Sequence, residues 1–318
     1  MRVKLIPTGR CELIGLPECL GRLFPDHTFE AVPARVDPDG TQLPFDGFTS
    51  GRLTSTLMPG NLLRLVQQLA SEVHPGRDGN AADLAVLIDD LELENIDQPG
   101  LVVERVRSAV RQHLDQLGQR ENAAKVAHVR EALLERASFH LASPMIEAWF
   151  FGDLEALKHA GIPDDRLPPQ LRAGIDLEHF ETDHEAFSSD DGTHCTAMHA
   201  SARRGSPPRP RWMLKARPDL PHYQRERHPK AYLTWLCRNA EEKRCCSTYR
   251  ETHEGAAALR ALRWEQVLQT PGHGRFARAL LRDLADILGP PTVALTDGEE
   301  HPLLSRSNAP MDRVLRNL

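Results

Sequence analysis

One short stretch of this 318-residue chain constrains its fold more than any other. Four apolar residues, 85–88, lead directly into Asp89, Asp90 and Glu92. A short uninterrupted apolar run is typical of a strand that is buried on both faces of a parallel sheet. In open α/β sheets, ligands bind at the carboxyl ends of such strands. The pattern therefore predicts a core strand that delivers carboxylates to a binding edge; the alternative is a solvated acidic loop after an ordinary strand.

Segments with strand and helix patterns alternate through the first half of the chain. Strands are predicted at residues 3–7, around 29–36, at 84–88 and at 139–142. Apolar residues at helical spacing predict helices at 61–73, 102–117 and 124–135, and an earlier helix with Pro17 in its first turn. This alternation indicates βαβ units. We therefore expect an α/β fold with a mainly parallel, Rossmann-like sheet flanked by helices.

The composition of the chain changes after about residue 160. Residues 1–160 are predicted to form the α/β domain. Residues 161–228 are rich in Pro, Gly, His and charge, and they indicate an irregular insertion. Helical spacing returns at 231–237, 256–267 and 276–288. Residues 229–318 are therefore predicted to form a C-terminal helical region that packs on the α/β domain.

Charge and hydropathy exclude some classes of protein. A formal charge of −6 argues against a generic nucleic-acid coat protein, although it leaves room for a local basic groove. No apolar run approaches the roughly 18 residues of a membrane helix, and the first residues lack the apolar core of a signal peptide. The six cysteines form no CxxC pair and are read as reduced thiols. We expect a cytoplasmic protein without a membrane partner.

Two further acidic residues follow predicted strands. Glu12 comes after the first strand across a short Thr8–Gly9 turn, and Glu147 comes after the strand at 139–142. Ser143 and Pro144 are suited to be the N-cap and first residue of a helix, which would place Glu147 in an early turn. The alternative role for Glu147 is to complement the helix dipole.

Acidic positions after three strand ends predict one shared site. Crowded carboxylates repel one another and need a cation, and Mg²⁺ or Mn²⁺ prefers oxygen ligands. Such a cation is what phosphoryl-transfer chemistry uses. The predicted metal ligands are Asp89, Asp90, Glu92 and Glu147.

A glutamate after the first strand, followed by an Asp-x-Asp/Glu motif after a later one, resembles the signature of Toprim domains. These domains occur in topoisomerases, bacterial primases and related nucleases. Glu12 matches the first motif, and residues 89–92 (DDLE) match the second, either through Asp90 and Glu92 or through Asp89 alone. Three blocks more closely resemble an uncharacterised bacterial Toprim-like family: 142–153 (ASPMIEAWFFGD), 228–233 (HPKAYL) and 249–255 (YRETHEG). The resemblance covers roughly residues 1–290.

The resemblance implies a phosphodiester hydrolase that depends on Mg²⁺ or Mn²⁺ and acts on nucleic acid. Glu12 would serve as general base or as a ligand through water. Members of the family often occur near ATPase or defence genes, so an ATPase or another defence-system protein is an implied partner. A second hypothesis, of a different class, is a non-catalytic partner or sensor subunit with a vestigial acidic site.

Basic and histidine residues add two further hypotheses. Lys230, in the block 228–230, could present its ammonium to a phosphate, and His228 could act as an acid or a metal ligand; the alternative is a solvated helix entry led by Pro229. A basic stretch with Trp212 inside it could track a phosphate backbone, or it could be a solvated loop. That stretch contains Arg203, Arg204, Arg209, Arg211, Lys215 and Arg217.

A structural zinc is a minor alternative for the histidines and cysteines of the second half. They lie at 179, 184, 194, 195 and 199, and at 237, 245 and 246. None of them has a standard zinc-site spacing.

Overall fold

The computed structural model describes residues 1–75, 79–168, 176–192, 210, 212–215, 217–238, 247–294 and 296–318. Its strands are β1 (Arg2–Pro7), β2 (Thr28–Ala31), β3 (Arg35–Val36), β4 (Gln42–Leu43), β5 (Leu84–Asp90) and β6 (Ala137–Ala142). Its first six helices are α1 (Arg10–Leu23), α2 (Gly60–Val73), α3 (Glu92–Asn95), α4 (Pro99–Gly118), α5 (Ala123–Arg136) and α6 (Glu147–Phe150). The others are α7 (Leu154–His159), α8 (Glu185–Ser189), α9 (Pro229–Leu236), α10 (Ala256–Ala261), α11 (Trp264–Val267) and α12 (Arg275–Leu288).

Four parallel strands form the central sheet, in the order β2-β1-β5-β6. Leu5 of β1 lies beside Val86 of β5, and Ile88 of β5 lies beside His140 of β6. Helices flank the sheet, so the predicted α/β class with a parallel sheet is confirmed. The predicted strand around 29–36 divides in two, because β3 leaves the sheet to pair with β4 in a small antiparallel ribbon.

Residues 84–88 of β5 are all apolar because both faces of this part of the strand are covered. Val86 and Ile88 belong to one hydrophobic core, and Ala85 and Leu87 belong to the other. Helices α1, α9, α10 and α12 contribute to the first core, and α2, α4 and α5 contribute to the second. Two-sided burial is the reason that buried parallel strands lose the apolar–polar alternation of half-exposed ones.

The predictions for α2, α4 and α5 are confirmed to within a few residues. The prediction for the first helix was wrong in its start. The helix begins at Arg10, and Pro17 lies inside it rather than in its first turn. Glu12, which follows the Thr8–Gly9 turn, therefore already lies in the first turn of this helix. A proline here removes one helical hydrogen bond, while Leu16 and Leu20 on either side of it are fully buried.

The second half of the chain packs against the same sheet. Phe187 and Trp212, from the segment predicted as an insertion, are fully buried in the first core with residues of α9 and α10. Helix α12 packs beside β6. The division into segments 1–160, 161–228 and 229–318 stays a prediction.

The outer edge of β6 is covered by residues 316–317. The backbone N–H of Arg316 donates to the carbonyl of Ala137 at 2.9 Å. The side-chain amide of Asn317 donates to the carbonyl of Phe139 at 2.7 Å and accepts from its N–H at 3.1 Å. These bonds take the place of a neighbouring strand.

None of the helices in the described part of the chain combines the length and the apolar composition that crossing a membrane requires.

Candidate functional site

The carboxyl ends of β1, β5 and β6 lie side by side, and each is followed closely by an acidic residue. Glu12 lies in the first turn of α1, Asp90 is the last residue of β5, and Glu147 is the first residue of α6. Burial raises the pKa of Asp90 well above its usual value, and the negative charges of Glu12, Glu92 and Glu147 raise it further. The structure therefore brings together the acids that the three strand ends predicted.

Asp89 has a different environment from Asp90. Its Oδ1 accepts hydrogen bonds from the hydroxyl of Thr8 and from the N–H of Asp90, the latter at 3.1 Å. Its Oδ2 accepts from the N–H of Phe48 and the hydroxyl of Thr49, both at 3.1 Å. Burial still raises the pKa of Asp89 to about 6, although these donors oppose the shift. Because both oxygens already have protein donors, Asp89 ties the 47–49 loop to β5.

Asp90 and Glu92 keep carboxylate oxygens to which no described residue donates a hydrogen bond. Asp90 Oδ1 accepts from the N–H of Ile146 at 3.0 Å. Among the described residues, no hydrogen bond reaches Asp90 Oδ2 or either carboxylate oxygen of Glu92. Both residues line the cleft described below. Of the two aspartates that the sequence motif leaves open, Asp90 is therefore the one that has an oxygen available for a ligand.

Glu92 is held in an unusual backbone conformation. Its φ is +58°, and within the described part of the chain it is the one residue other than glycine with a positive φ. Left-handed backbone costs a non-glycine residue roughly 1–2 kcal/mol. Its N–H donates to the carbonyl of Pro144 at 2.7 Å, which ties the β5 end to the β6 end. Burial raises the pKa of Glu92 to about 8; Lys230 opposes the shift, and Glu94 and Glu147 add to it.

Glu12 is buried beside Gly9, with 5% of its surface exposed. A Cβ on Gly9 would overlap the Glu12 carboxylate, so the glycine is required for this placement. The Sγ of Cys11 donates to Glu12 Oε2 at 3.1 Å. Burial, followed by the charge of Glu147, raises the pKa of Glu12 to about 7. A carboxyl group with this pKa can take up or release a proton near neutral pH.

Glu12, Asp90, Glu92 and Glu147 form an acidic cluster, and Lys230 supplies positive charge to it. Its Nζ lies 3.5 Å from Glu147 Oε1 and 2.6 Å from Glu251 Oε1. Burial alone would lower the pKa of Lys230, but the charges of Glu147 and Glu251 outweigh it, and the pKa lies well above its usual value. The ammonium therefore stays protonated. The entry of α9 follows the sequence prediction, with Pro229 as its first residue, but Lys230 is paired rather than simply solvated.

His228 is the N-cap of α9. Its Nδ1 accepts from the N–H of Ala231 at 3.2 Å, so this nitrogen is not free to bind a metal. Burial, with a contribution from Lys230, lowers the pKa of His228 to about 4. It is therefore neutral at physiological pH.

The predicted helix start at Ser143 and Pro144 was wrong. Helix α6 begins at Glu147, and the hydroxyl of Ser143 donates to the carbonyl of Glu178 at 3.0 Å. A tertiary contact therefore takes the hydroxyl that local sequence suggested as a cap. Glu147 still lies at the start of a helix, where a negative charge is favourable.

A cleft of about 590 Å³ opens at this edge of the sheet. Asp89, Asp90 and Glu92 form part of its wall, while Glu12 and Glu147 are buried below its surface. Its basic lining residues are Arg10, Arg35, Arg64 and Lys230. Arg10 and Arg64 make no ion pair or side-chain hydrogen bond with any other residue that the structure describes. An acidic wall and unpaired arginines therefore share one cleft.

Sequence reasoning missed the residues that support the acids. Thr8 and Thr49 bind Asp89, while Tyr249 and Glu251 contact Glu147 and Lys230. The sequence did point to Tyr249 and Glu251, since both lie in the block 249–255 that resembles the Toprim-like family. Arg64 has a weaker signal, as a single basic residue in the first turns of α2.

The basic stretch lies mostly outside the described residues, which include neither Arg203, Arg204, Arg209 nor Arg211. Trp212 is fully buried, so its ring is not exposed for stacking on a base. Arg217 pairs with Asp219 at 3.1 Å and lies 3.9 Å from Glu94. Lys215 is exposed.

The histidines and cysteines considered for zinc are not gathered in the described structure. His179 pairs with Asp176 at 3.1 Å, His184 bonds the hydroxyl of Tyr232 at 2.8 Å, and Cys237 is buried. Residues 194, 195, 199, 245 and 246 lie outside the described ranges.

The acidic cluster suits a hard cation in its donor atoms, although the side chains are not yet arranged around one. In the described ranges, no three His, Cys, Asp or Glu side chains already form a group that could hold a metal ion. Among the described residues, the hydrogen bond from Tyr249 and the approach of Lys230 both fall on Glu147 Oε1, and no hydrogen bond reaches Glu147 Oε2, Asp90 Oδ2 or the Glu92 oxygens. Carboxylate oxygens are the ligands that Mg²⁺ and Mn²⁺ prefer. Cation binding would require the side chains of Asp90 and Glu92 to turn toward Glu147.

No family model, no curated protein and no solved structure matches this chain.

Proposed function

We propose that the cleft binds Mg²⁺ or Mn²⁺ and hydrolyses a phosphodiester bond in nucleic acid. The observation that carries the proposal is the environment of Asp90, which lies at the carboxyl edge of a parallel sheet and whose pKa is raised by burial and by four neighbouring carboxylates. A bound cation relieves this repulsion and favours the ionised carboxylates. Asp90, Glu92 and Glu147 are the ligands we propose, while Asp89 holds the 47–49 loop.

The remaining residues have distinct proposed roles. The cation would neutralise phosphate oxygens and lower the pKa of the attacking water. Glu12, with a pKa of about 7, would accept a proton from that water or bind the cation through a water molecule. Lys230 remains protonated and would stabilise negative charge on the phosphate. Arg10 and Arg64, which line the same cleft, could pair with phosphates of the substrate.

The proposal also covers the cellular compartment, the cytoplasm, and the protein partners. Cys11, Cys19 and Cys237 are free and buried, which is compatible with the reducing cytoplasm. An ATPase or another defence-system protein as partner stays a prediction from the family resemblance.

Calorimetric titration with Mn²⁺, followed by incubation with plasmid DNA and RNA, tests the proposal. Wild type should bind Mn²⁺ and cleave at least one of the two nucleic acids. Asp90→Asn should weaken binding at least tenfold and abolish cleavage, because it removes a charged ligand. Asp115→Asn is the matched control, since Asp115 is an exposed aspartate on α4. It should behave like wild type, and an equal loss in both variants would contradict the assignment.

The alternative is a non-catalytic partner or sensor subunit, and one observation favours it. The Lys230 ammonium already pairs with Glu147 and Glu251, so it supplies part of the positive charge that a divalent cation would bring. If wild type binds Mn²⁺ without turnover, or binds none, this alternative replaces the hydrolase. Lys230→Met should then destabilise the fold, because it leaves the buried carboxylate of Glu147 without a counter-charge.

A further inference from the structure

The acidic cluster receives a contribution from a segment far along the chain. Tyr249 is buried, and its hydroxyl donates to Glu147 Oε1 at 3.1 Å. The Lys230 ammonium approaches the same oxygen, at 3.5 Å. The hydrogen bond from Tyr249 and the charge of Lys230 both act on Oε1, so within the described residues Oε2 is the oxygen available to a cation.

The backbone around Tyr249 is shaped to bring its hydroxyl into this position. Residues Glu251–Gly255 form a π-helical turn, a feature found frequently at functional sites. A Cβ on Gly255 would lie 2.7 Å from Tyr249 Oη and 3.2 Å from the Cβ of Cys11. Only glycine leaves room for the ring at this point. The same turn carries Glu251, which pairs with Lys230 at 2.6 Å.

We propose that Tyr249 is a positioning residue, which orients Glu147 so that Oε2 can bind the divalent cation. The inference rests on the proposed function, because it assigns a role toward that cation. Residues that hydrogen-bond a metal ligand commonly change metal affinity by about 10–100-fold when they are removed. The C-terminal part of the chain would then tune metal affinity without supplying a ligand.

Tyr249→Phe tests this role by removing one hydroxyl and keeping the ring. Calorimetric titration should show Mn²⁺ binding about tenfold weaker than in wild type. Tyr232→Phe is the matched control, since it also removes a buried hydroxyl, one that bonds His184 at 2.8 Å. It should bind Mn²⁺ as wild type does. Melting temperatures of both variants separate a positioning effect from a general loss of packing.

A double-mutant cycle with Glu147→Gln measures the coupling of the two residues in Mn²⁺ affinity, which a merely structural role of Tyr249 would not produce. If Tyr249 acts through Glu147, adding Tyr249→Phe to Glu147→Gln should cause no further loss of Mn²⁺ affinity. Additive losses, or an unchanged affinity in Tyr249→Phe alone, would overturn the positioning role while leaving the metal site intact. A wild-type protein that binds no Mn²⁺ would instead remove the proposed function, and the positioning role with it.

Discussion

Replacing Glu92 by glutamine should stabilise the metal-free protein, and the gain should increase with pH. Burial raises the pKa of Glu92 from 4.5 to about 8 in the folded state. An acid whose pKa is raised by folding contributes stability that is present below its unfolded pKa and lost as pH rises through its folded pKa. Wild type should therefore lose stability between about pH 4.5 and pH 8, and Glu92→Gln should lose less.

The size of the effect follows from the shift. Each pKa unit corresponds to about 1.4 kcal/mol. A displacement from 4.5 to about 8 therefore sets an upper limit of roughly 5 kcal/mol on the gain above pH 8. The measured gain will be smaller, because Asp90 and Glu147 share the repulsion and respond to the substitution. Near pH 4.5 the gain should vanish.

Urea unfolding at pH 5, 7 and 9 in the presence of EDTA measures the gain. Glu131→Gln is the control, because Glu131 is exposed on α5. It should change the free energy of unfolding by no more than about 0.5 kcal/mol at any pH. A gain for Glu92→Gln that is equal at pH 5 and pH 9, or that stays below about 1.4 kcal/mol at pH 9, would refute the reasoning.

Three other outcomes are expected. Glu92→Gly should exceed Glu92→Ala in stability by about 1 kcal/mol at every pH tested by urea unfolding, because glycine accepts the positive φ; equal stabilities would show that this backbone is unstrained. Asp89→Ala should cost about 2–4 kcal/mol in thermal unfolding, since it leaves buried donors without an acceptor. Asp90→Asn should instead leave the metal-free fold as stable or slightly more so, because it removes one of the repelling charges. Mn²⁺ affinity should rise between pH 6 and 8.5 with release of protons, because Glu12 and Glu92 have pKa values of about 7 and 8. Calorimetry in two buffers of different ionisation enthalpy detects the released protons. An affinity that does not change with pH would argue against these acids as part of the site.

Patterns that depend on burial alone were readable from the sequence. The apolar run before Asp89 predicted a doubly covered strand, and the helical spacing in 61–73 predicted α2 almost to the residue. Both features follow from the burial of apolar side chains, which a short stretch of sequence is enough to reveal. The convergence of Glu12, Asp90 and Glu147 also followed, since parallel strands end at the same edge of a sheet.

Structural features that depend on contacts between distant residues could not be predicted from the sequence in this way. The motif fits either Asp89 or Asp90, and they are distinguished by donors to Asp89 from distant parts of the chain, Thr8 and the 47–49 loop. Ser143 has the local chemistry of a cap, but the carbonyl of Glu178 competes for its hydroxyl. Tyr249 reaches Glu147 across a separation of 102 residues. No periodicity in the sequence encodes such distant pairs.

The covering of β6 by residues 316–317 has a consequence for synthesis on the ribosome. Asn317 contacts Phe139 across 178 residues of chain. At about 5–20 residues per second, the edge of β6 therefore waits roughly 10–35 s for its partner. Throughout this interval its backbone donors and acceptors can pair with another nascent chain. The edge of β6 is therefore more open to pairing with another chain during synthesis than in the finished protein, and slower translation of the last third lengthens this interval.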